Sequence, residues 1–478
     1  MSQPSLPPHH QPSHQPPQPR GVRRPPSRGW RSKPALKLIA GGVLAAALVS
    51  GCGSGDDDGG DGGSSSKGAQ AKTLGKVAMP KVGKETNTMG TWVTDSAFVK
   101  GDVNKLVGYS LDGAKSKWQI PLGGQLCWAS PHMTKDGLTA ILFRDGAGED
   151  ALCTKVGLVD LKKGKLVWQK EGSDSEGNAG VQFDEVTIGG GTVAAGGTGG
   201  GGAWSLDGKP LWKPAYLADC DDDGYAGGED KIVAIRGCDS SEDSSEQRLE
   251  VQTVDPKTRD VLSSYKLDEK VEYAHVISTA PLVVAVDTGD SDAGTGATDI
   301  LTIDDSGKQG KLLSTIDVLA KGYQPNCPAT SVEGCTELAL DKASSTLYLS
   351  SEVDVDHGGP GDRISGLNLK TGKETGKTKM AESRSLIPIQ TDDDGSLIAY
   401  LGSMYSEAGG VVRVDPKTFA METLQTHPDD MKDVESDMDT YGECTMIYTG
   451  KKLYIGDSKA SRPTSDSAAR PLAIVFGA

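Results

Sequence analysis

The sequence of 478 residues predicts an all-β fold, a β-propeller of four-stranded blades, on three observations. A short phrase, in which an apolar stretch is followed by Asp or Asn and a tight turn, returns seven times. Between these phrases lie apolar runs of four to seven residues, the length of strands, separated by Gly, Asp and Ser. No helical periodicity of useful length occurs outside the N-terminal signal.

The spacing of the repeated phrase gives the size of the unit. Successive anchor residues are 48, 47, 48, 49, 64 and 47 residues apart. A fixed period in this range is typical of repeat architectures, in which one unit cannot bury its apolar face alone. Four strands in each unit, arranged radially, form the blades of a propeller. The anchors are Asp112, Asp160, Asp207, Asp255, Asp304, Asn368 and Asp415.

The anchors and the residues that follow them have a structural role. Each carboxylate is expected to accept hydrogen bonds from backbone N–H groups one to three residues on, while Gly supplies a left-handed conformation. Asp112-Gly113 and Asp207-Gly208 are typical of two-residue hairpins. The tryptophans that follow the turns should pack between neighbouring sheets, because Trp buries a large surface. They are Trp118, Trp168 and Trp212. The anchors are therefore poor candidates for catalysis.

The two ends of the chain predict the number of blades. Three strand-like runs follow the last anchor and one precedes the first unit: 445–448, 452–455, 471–476 and 73–79. Joining them completes an eighth blade and closes the ring, which removes its last free edge. We therefore predict eight blades, closed by pairing of the N- and C-terminal strands, with seven blades as the alternative.

One unit carries a family resemblance. The segment Leu158-x-Asp160-x-x-x-Gly164-x-x-x-Trp168 resembles the tryptophan-docking motif of the quinoprotein (PQQ-like) β-propeller superfamily. The match is full only here, with Leu158 where the family usually has Ala, and partial in the other six units. The resemblance implies a propeller over nearly the whole mature chain. It also implies two kinds of relative, PQQ-dependent dehydrogenases and non-enzymatic lipoproteins such as that of the outer-membrane barrel-assembly machine.

Residues 1–51 predict an export signal. Seven basic residues and no acid occur in this part of the chain, and residues 35–50 are a short apolar core interrupted only by Lys37. The ending Val-Ser-Gly-Cys52 resembles a bacterial lipobox, which implies cleavage before Cys52 and diacylation of its thiol. An ordinary secretory signal, an uncleaved anchor helix and twin-arginine export at Arg23-Arg24 are the alternatives.

The composition after the signal predicts a tethered, acidic body. Residues 53–67 contain no apolar residue, so residues 52–72 are expected to form the lipidated Cys and a flexible tether, and residues 73–478 the propeller. Cleavage leaves 427 residues with 43 basic and 66 acidic side chains, a net charge of −23. Such a surface repels phosphates, which excludes nucleic acid as a partner. The predicted location is the extracytoplasmic face of a cell membrane, held by the lipid.

The cysteines predict disulfides, because an exported chain meets an oxidising compartment. Cys220 opens the first strand of the fourth unit and Cys238 ends the second, so the two are neighbours in an antiparallel pair. Cys444 is left over as an odd thiol. The expected pairs are Cys220–Cys238, Cys327–Cys335 and Cys127–Cys153.

One segment has the spacing of a calcium loop. Asp219, Asp221, Asp223 and Asp230 stand at ligand positions around Gly224, although Asp replaces the usual final Glu. Flanking strands and the disulfide expected at Cys220 favour an acidic loop that leads into a blade. Zinc is not expected, because the chain has no CxxC and its histidines are scattered.

The sequence predicts no catalytic residue. It contains no Gly-x-Ser-x-Gly elbow and no His-Glu-x-x-His, and the Gly-rich residues 189–202 lack the Gly-Lys-Ser/Thr of a phosphate loop. It also lacks the adjacent Cys pair of PQQ-binding relatives, so PQQ is not expected. We predict a monomeric, non-catalytic binding or scaffolding module for an envelope or extracellular protein, with long loops at 239–246, 288–298, 353–362 and 427–441. The alternative is a small-ligand-binding propeller or a PQQ-dependent dehydrogenase.

Overall fold

The computed structural model describes residues 68–148, 150–215, 220–240, 243–289, 296–327, 331–353, 361–441, 443–461 and 470–478. These residues form eight four-stranded antiparallel sheets that follow one another in a ring. The predictions of an all-β propeller and of eight blades are confirmed.

The blades are numbered in chain order. Blades 1 and 2 contain Thr91–Val93, Phe98–Asp102, Lys105–Tyr109 and Ser116–Pro121, then Leu126–Ala129, Leu138–Phe143, Lys155–Asp160 and Lys165–Glu171. Blades 3 and 4 contain Glu185–Gly189, Thr192–Gly196, Gly202–Ser205 and Pro210–Trp212, then Cys220–Gly227, Ile232–Ser240, Asp243–Val254 and Val261–Lys266. Blades 5 and 6 contain Tyr273–Thr279, Leu282–Asp287, Asp299–Asp304 and Lys311–Asp317, then Leu338–Asp341, Thr346–Val353, Gly361–Asn368 and Lys373–Lys377. Blades 7 and 8 contain Leu386–Thr391, Leu397–Leu401, Gly410–Val414 and Met421–Thr426, then Cys444–Thr449, Lys452–Asp457, Ala473–Gly477 and Lys72–Val77.

Each blade runs from the centre of the ring to its outside. The first strands of neighbouring blades contact each other around the channel, and that of blade 3, Glu185–Gly189, is buried throughout. Fourth strands lie outermost, and Lys165–Glu171 of blade 2 is mostly exposed. We call the end with the turns between strands 1 and 2 and strands 3 and 4 the turn face. The opposite end, with the connections between strands 2 and 3 and between blades, is the loop face.

The N-terminal strand closes the ring, as predicted. Lys72–Val77 pairs antiparallel with Ala473–Gly477, Lys72 opposite Gly477 and Val77 opposite Ala473, as the outermost strand of blade 8. Just before it, Ala69–Gln70 runs parallel to the outer strand of blade 7. The chain therefore joins the sheet within the segment 52–72 that composition assigns to the tether. Two short strands, Thr86–Asn87 and Lys459–Ala460, pair with each other, and Ala381–Glu382 pairs with blade 6.

The anchor residues make the turns that the sequence predicts. Asp255 Oδ1 accepts hydrogen bonds from the backbone N–H groups of Lys257, at 2.8 Å, and Thr258, at 2.9 Å. Asp207 differs, since its carboxylate accepts from the Ser205 hydroxyl. Backbone N–H groups two or three residues on donate likewise to Asp112, Asp160, Asp304, Asn368 and Asp415.

Tryptophans join neighbouring blades, as predicted. Trp168 of blade 2 donates from Nε1 to the Leu206 carbonyl of blade 3 at 2.9 Å. The Trp118 ring of blade 1 lies against Gly164 of blade 2, where a Cβ would come within 2.4 Å of the ring. Because Gly164 also has a φ of +62°, both the contact and the backbone require glycine.

The helices lie in connections, and one of them corrects an expectation. Residues 427–441, expected to be a loop, contain a 3₁₀ turn, Asp429–Met431, and an α-helix, Lys432–Tyr441. The buried side chains of this segment, Met431, Glu435 and Met438, recur at helical spacing. An apolar stripe at this spacing would have predicted the helix, but Glu435 interrupts the stripe. A four-residue helix, Val318–Lys321, follows blade 5. No helix among the described residues is long and apolar enough to cross a membrane.

The other three expected loops differ in outcome. Residues 239–246 are mostly strand. They belong to the second and third strands of blade 4, Ile232–Ser240 and Asp243–Val254, which are long and pair as far as Ser240 and Asp243. Much of the remaining two, residues 290–295 and 354–360, lies outside the described residues.

Candidate functional site: the channel and its plug

The connection between blades 5 and 6 enters the central channel. Its residues 331–333, which we call the plug, contact the first strands of three blades. The Val332 N–H donates to Glu185 Oε1 of blade 3 at 2.8 Å, and the Val276 N–H of blade 5 donates to the Val332 carbonyl at 2.7 Å. The Val332 side chain is buried with Ala226 of blade 4. The plug therefore fills the centre of the ring.

Two buried glutamates hold the plug in place. Glu185 accepts from the Val332 and Glu333 N–H groups. Burial raises the pKa of the Glu185 carboxyl well above its usual value, which favours the neutral form. Glu333 Oε1 accepts from the Gly227 N–H of blade 4 at 3.1 Å and lies 2.6 Å from His132 Nε2 of blade 2. Glu333 Oε2 is buried and has no hydrogen-bond partner.

Two histidines flank the plug and respond to it differently. The Glu333 carboxylate raises the pKa of His132, and this outweighs the opposite effects of burial and of Lys342. His275 of blade 5 is buried and its Nδ1 hydrogen-bonds the Ser331 carbonyl. Burial lowers the pKa of His275, so this side chain is held neutral. Of the two histidines beside the plug, His132 is shifted towards its charged form and His275 towards its neutral form.

A cavity of about 740 Å³ opens on the turn-face side of the plug. It is lined by turns of blades 2 to 7, with Glu333 and His132 among the lining residues. Aliphatic side chains form much of its wall: Ile188, Val276, Ile277, Leu338, Leu340 and Ile389. Charged side chains also line it: Lys135, Asp136, Glu229 and Lys342. Its size is within the usual range for small-molecule sites.

The three predicted disulfides are present, and their cysteines lie at the loop-face ends of strands or in loop-face connections. Their Cα–Cα distances are 6.2, 4.0 and 4.1 Å for Cys127–Cys153, Cys220–Cys238 and Cys327–Cys335. Cys327–Cys335 closes the loop that carries the plug. Cys444 takes no part in them, and its thiol donates to the Met438 carbonyl at 3.6 Å. Together with Cys335, it lines a smaller cavity of about 190 Å³.

The acidic segment of blade 4 does not adopt the loop that the calcium pattern requires. Asp221 and Asp223 lie on the innermost strand, Cys220–Gly227, and Asp230 lies in the turn beyond it. An extended strand separates Asp221 from that turn by roughly 20 Å. Burial, then Asp222 and Asp221, raise the pKa of Asp223 to about 6. Among the described residues no group of three or more metal ligands occurs. Asp219 and Cys52, the residue predicted to be lipidated, lie outside the described residues.

Sequence reasoning missed the residues of the channel. Glu185 and Glu333 are 148 positions apart in the sequence, and no local motif contains both. One signal was available, the gap of 64 residues between Asp304 and Asn368, where the other gaps are 47 to 49. The excess chain contains the helix Val318–Lys321 and the plug.

No protein-family model and no curated protein sequence matches the chain. Among solved structures, it is similar to BamB from Moraxella catarrhalis, at 12% identity and a TM-score of 0.45, over 84% of this chain and 99% of that one. It is also similar to the quinohemoprotein alcohol dehydrogenase ADHIIG from Pseudomonas putida HK5, at 9% identity and a TM-score of 0.47, over 85% of this chain and 76% of that one. The eight blades and the docked tryptophans of this chain fit the PQQ-like repeat superfamily that its sequence resembles.

Proposed function

We propose that the chain is an exported, lipid-anchored propeller that acts as a non-catalytic binding or scaffolding module for an envelope or extracellular protein. The observation that carries this proposal is the exposure of large apolar side chains on the loop face. Tyr405, between strands 2 and 3 of blade 7, is 92% exposed. Leu152 and Leu319 are exposed on connections of blades 2 and 5, and Tyr273 is exposed at the start of the first strand of blade 5. Exposed aromatic and aliphatic side chains on loops are typical anchors of protein interfaces.

The rigidity of the loop face supports a docking role. Three disulfides hold its strand ends and connections, and the plug closes the channel beneath it. A surface that is rigid before binding loses less conformational entropy when a partner docks. The loop face therefore has the properties of a preformed contact surface.

Export and anchoring have independent support. Three disulfides are typical of proteins that fold in an oxidising compartment. The chain joins the body at the outer edge of blade 7, where Ala69 pairs with Gln425. A coil of residues 53–67 would span roughly 20 Å between that edge and a lipid on Cys52.

A small-ligand-binding propeller remains the second candidate, because the turn face has a cavity of about 740 Å³. The residues present do not fit PQQ. The chain has no adjacent cysteines for the vicinal disulfide of the quinone-binding relatives, and the plug with Glu185 occupies the centre of the channel.

In-cell crosslinking of the tagged protein, followed by mass spectrometry, tests the docking role. Leu319→Ser and Tyr405→Ser remove apolar side chains from the loop face. Leu262→Ser is the matched control, because Leu262 is 43% exposed and Leu319 44%, but Leu262 lies on the outer strand of blade 4. We expect one dominant envelope protein with the wild type and the control, and a severalfold loss with the loop-face variants. Equal yields from all four proteins would refute docking at this face.

The lipid anchor is tested separately by cell fractionation. Replacing Cys52 with Ala removes the acylated thiol, so the protein should move from the membrane fraction to the soluble fraction. A Cys52→Ala protein that stays fully membrane-bound would refute the lipid anchor and leave the docking experiment unaffected.

A further inference from the structure

We infer that the smaller cavity binds Cu(I) between the Cys444 thiolate and the Met446 thioether. This cavity, of about 190 Å³, lies where the first strands of blades 6, 7 and 8 come together. Its wall includes Leu338, Ile387 and Ile389. The site requires neither docking at the loop face nor a lipid anchor, so it is independent of the proposed function.

Cys444 and Met446 lie on the same side of one strand. Both belong to Cys444–Thr449, the first strand of blade 8, which pairs with the second strand in a regular register. Side chains two positions apart in such a strand point to the same face, with their Cβ atoms roughly 7 Å apart. Both side chains pack in one cluster with Ile387 and Ile389 of blade 7, and both residues line the cavity. The fold therefore brings a thiol and a thioether to one space.

Both sulfur-bearing side chains can reach an ion in this cavity. Cys444 and Met446 are half-buried, so each keeps accessible surface. Methionine has three rotatable side-chain bonds, which let the Met446 thioether approach Cys444 without a change of the backbone. The Cys444 thiol donates to the Met438 carbonyl at 3.6 Å. When Cu(I) binds, the Cu–S bond replaces the S–H bond of this thiol, and the proton leaves to solvent.

The remaining cysteines leave Cys444 as the thiolate donor of the propeller. Cys127, Cys153, Cys220, Cys238, Cys327 and Cys335 form the three disulfides. The residue opposite Cys444 on the paired strand is Asp457, so this strand pair offers no disulfide partner. Metal coordination gives such a thiol a role that disulfide formation does not.

The donor set selects Cu(I) among the metal ions. Thiolates and thioethers are soft ligands, which favour Cu(I) over hard cations such as calcium and magnesium. Structural zinc takes four ligands, and among the described residues no three side chains of His, Cys, Asp or Glu come together to hold a metal. Cu(I) accepts linear coordination by two sulfur atoms, which one thiolate and one thioether supply.

Anaerobic titration with Cu(I) in competition with the chelator bathocuproine disulfonate tests the site. The purified full-length protein carries Cys52→Ala throughout, so that the N-terminal thiol does not contribute. We expect the parent protein to withhold one Cu(I) per chain from the chelator. Cys444→Ser removes the thiolate and Met446→Leu removes the thioether but keeps an apolar side chain, so each should weaken binding by about tenfold or more.

Met421→Leu is the matched control, because Met421 lies on the outer strand of blade 7 and is 37% exposed. This variant should bind Cu(I) as the parent does. Parent-like binding by Cys444→Ser or Met446→Leu would overturn the inference, as would an equal loss with Met421→Leu.

NMR of isotope-labelled methionine methyl groups decides the question in the parent protein, even where a variant does not fold. Ag(I), a redox-stable analogue of Cu(I), should shift the Met446 methyl signal and leave that of Met421 in place. Zn(II) should shift neither signal. A Met446 signal that ignores Ag(I), or that responds to Zn(II) as it does to Ag(I), would overturn a soft-metal site.

Discussion

Deleting residues 471–478 should unfold the whole propeller. The deletion removes Ala473–Gly477, a strand that is buried throughout and lies between Lys452–Asp457 and Lys72–Val77. Four large side chains are lost with it, each at most 1% exposed: Leu472, Ile474, Val475 and Phe476. Burial stabilises each by about 1.5–3 kcal/mol, so the sum is about 6–12 kcal/mol. Because the free energy of unfolding is typically about 5–15 kcal/mol, the deletion removes an amount comparable to the whole.

The ring geometry makes the loss cooperative. Lys72–Val77 pairs with no other strand in the described part of the chain, so without Ala473–Gly477 blade 8 loses both of its outer strands. Circular dichroism during heating and urea titration measure the outcome. We expect the truncated protein to lack the cooperative transition of the wild type. A truncated protein that melts as the wild type does would refute closure by the two termini.

Phe476→Ala gives a milder form of the same experiment. The Phe476 ring stacks on His427 with centroids 4.0 Å apart, and its removal should lower the free energy of unfolding by about 3–5 kcal/mol. Met421→Ala, on the exposed outer strand of blade 7, is the control and should cost less than about 1 kcal/mol.

Two further predictions concern the disulfides and the turns. Replacing Cys127 and Cys153 with Ala opens a loop with a sequence separation of 26, which should lower the free energy of unfolding in urea by about 3 kcal/mol; an unchanged midpoint would contradict this. At the anchors, the Lys209 and Ser205 side chains lower the pKa of Asp207 to about 2, and backbone N–H groups lower those of Asp255 and Asp415. A lowered pKa stabilises the native state above about pH 4, and this stability is lost as the pH falls towards 2. Asp415→Asn keeps the acceptor, as at Asn368, so the variant should lose less stability than the wild type between pH 4 and pH 2 in an acid-unfolding titration.

The blade units were predictable because their signals are local. At each anchor the acceptor and its N–H donors are two or three residues apart, so the turn follows from the phrase itself. The Cys220–Cys238 pair could be predicted for a similar reason. The two residues are directly opposite in adjacent strands of one blade, and their register follows from strand positions in sequence.

The candidate site was not predictable in this way. His132, Glu185 and Glu333 come from blade 2, blade 3 and the connection after blade 5, and each is unremarkable in its local sequence. The helix Lys432–Tyr441 escaped prediction because the buried Glu435 faces His427 Nδ1, at 2.8 Å, where the pattern requires an apolar residue.

The sequence alone determined the repeated blade unit, the turns, the interblade tryptophans and the disulfide pairs, because each depends on contacts within one unit or between successive units. Only the tertiary structure decided where the plug lies, which carboxylates surround it and that a cavity remains on the turn face. The physical reason is ring closure. It brings first strands from all blades around one channel, so groups far apart in sequence become neighbours without any trace in the local pattern, as His132 and Glu333 do at a separation of 201 residues.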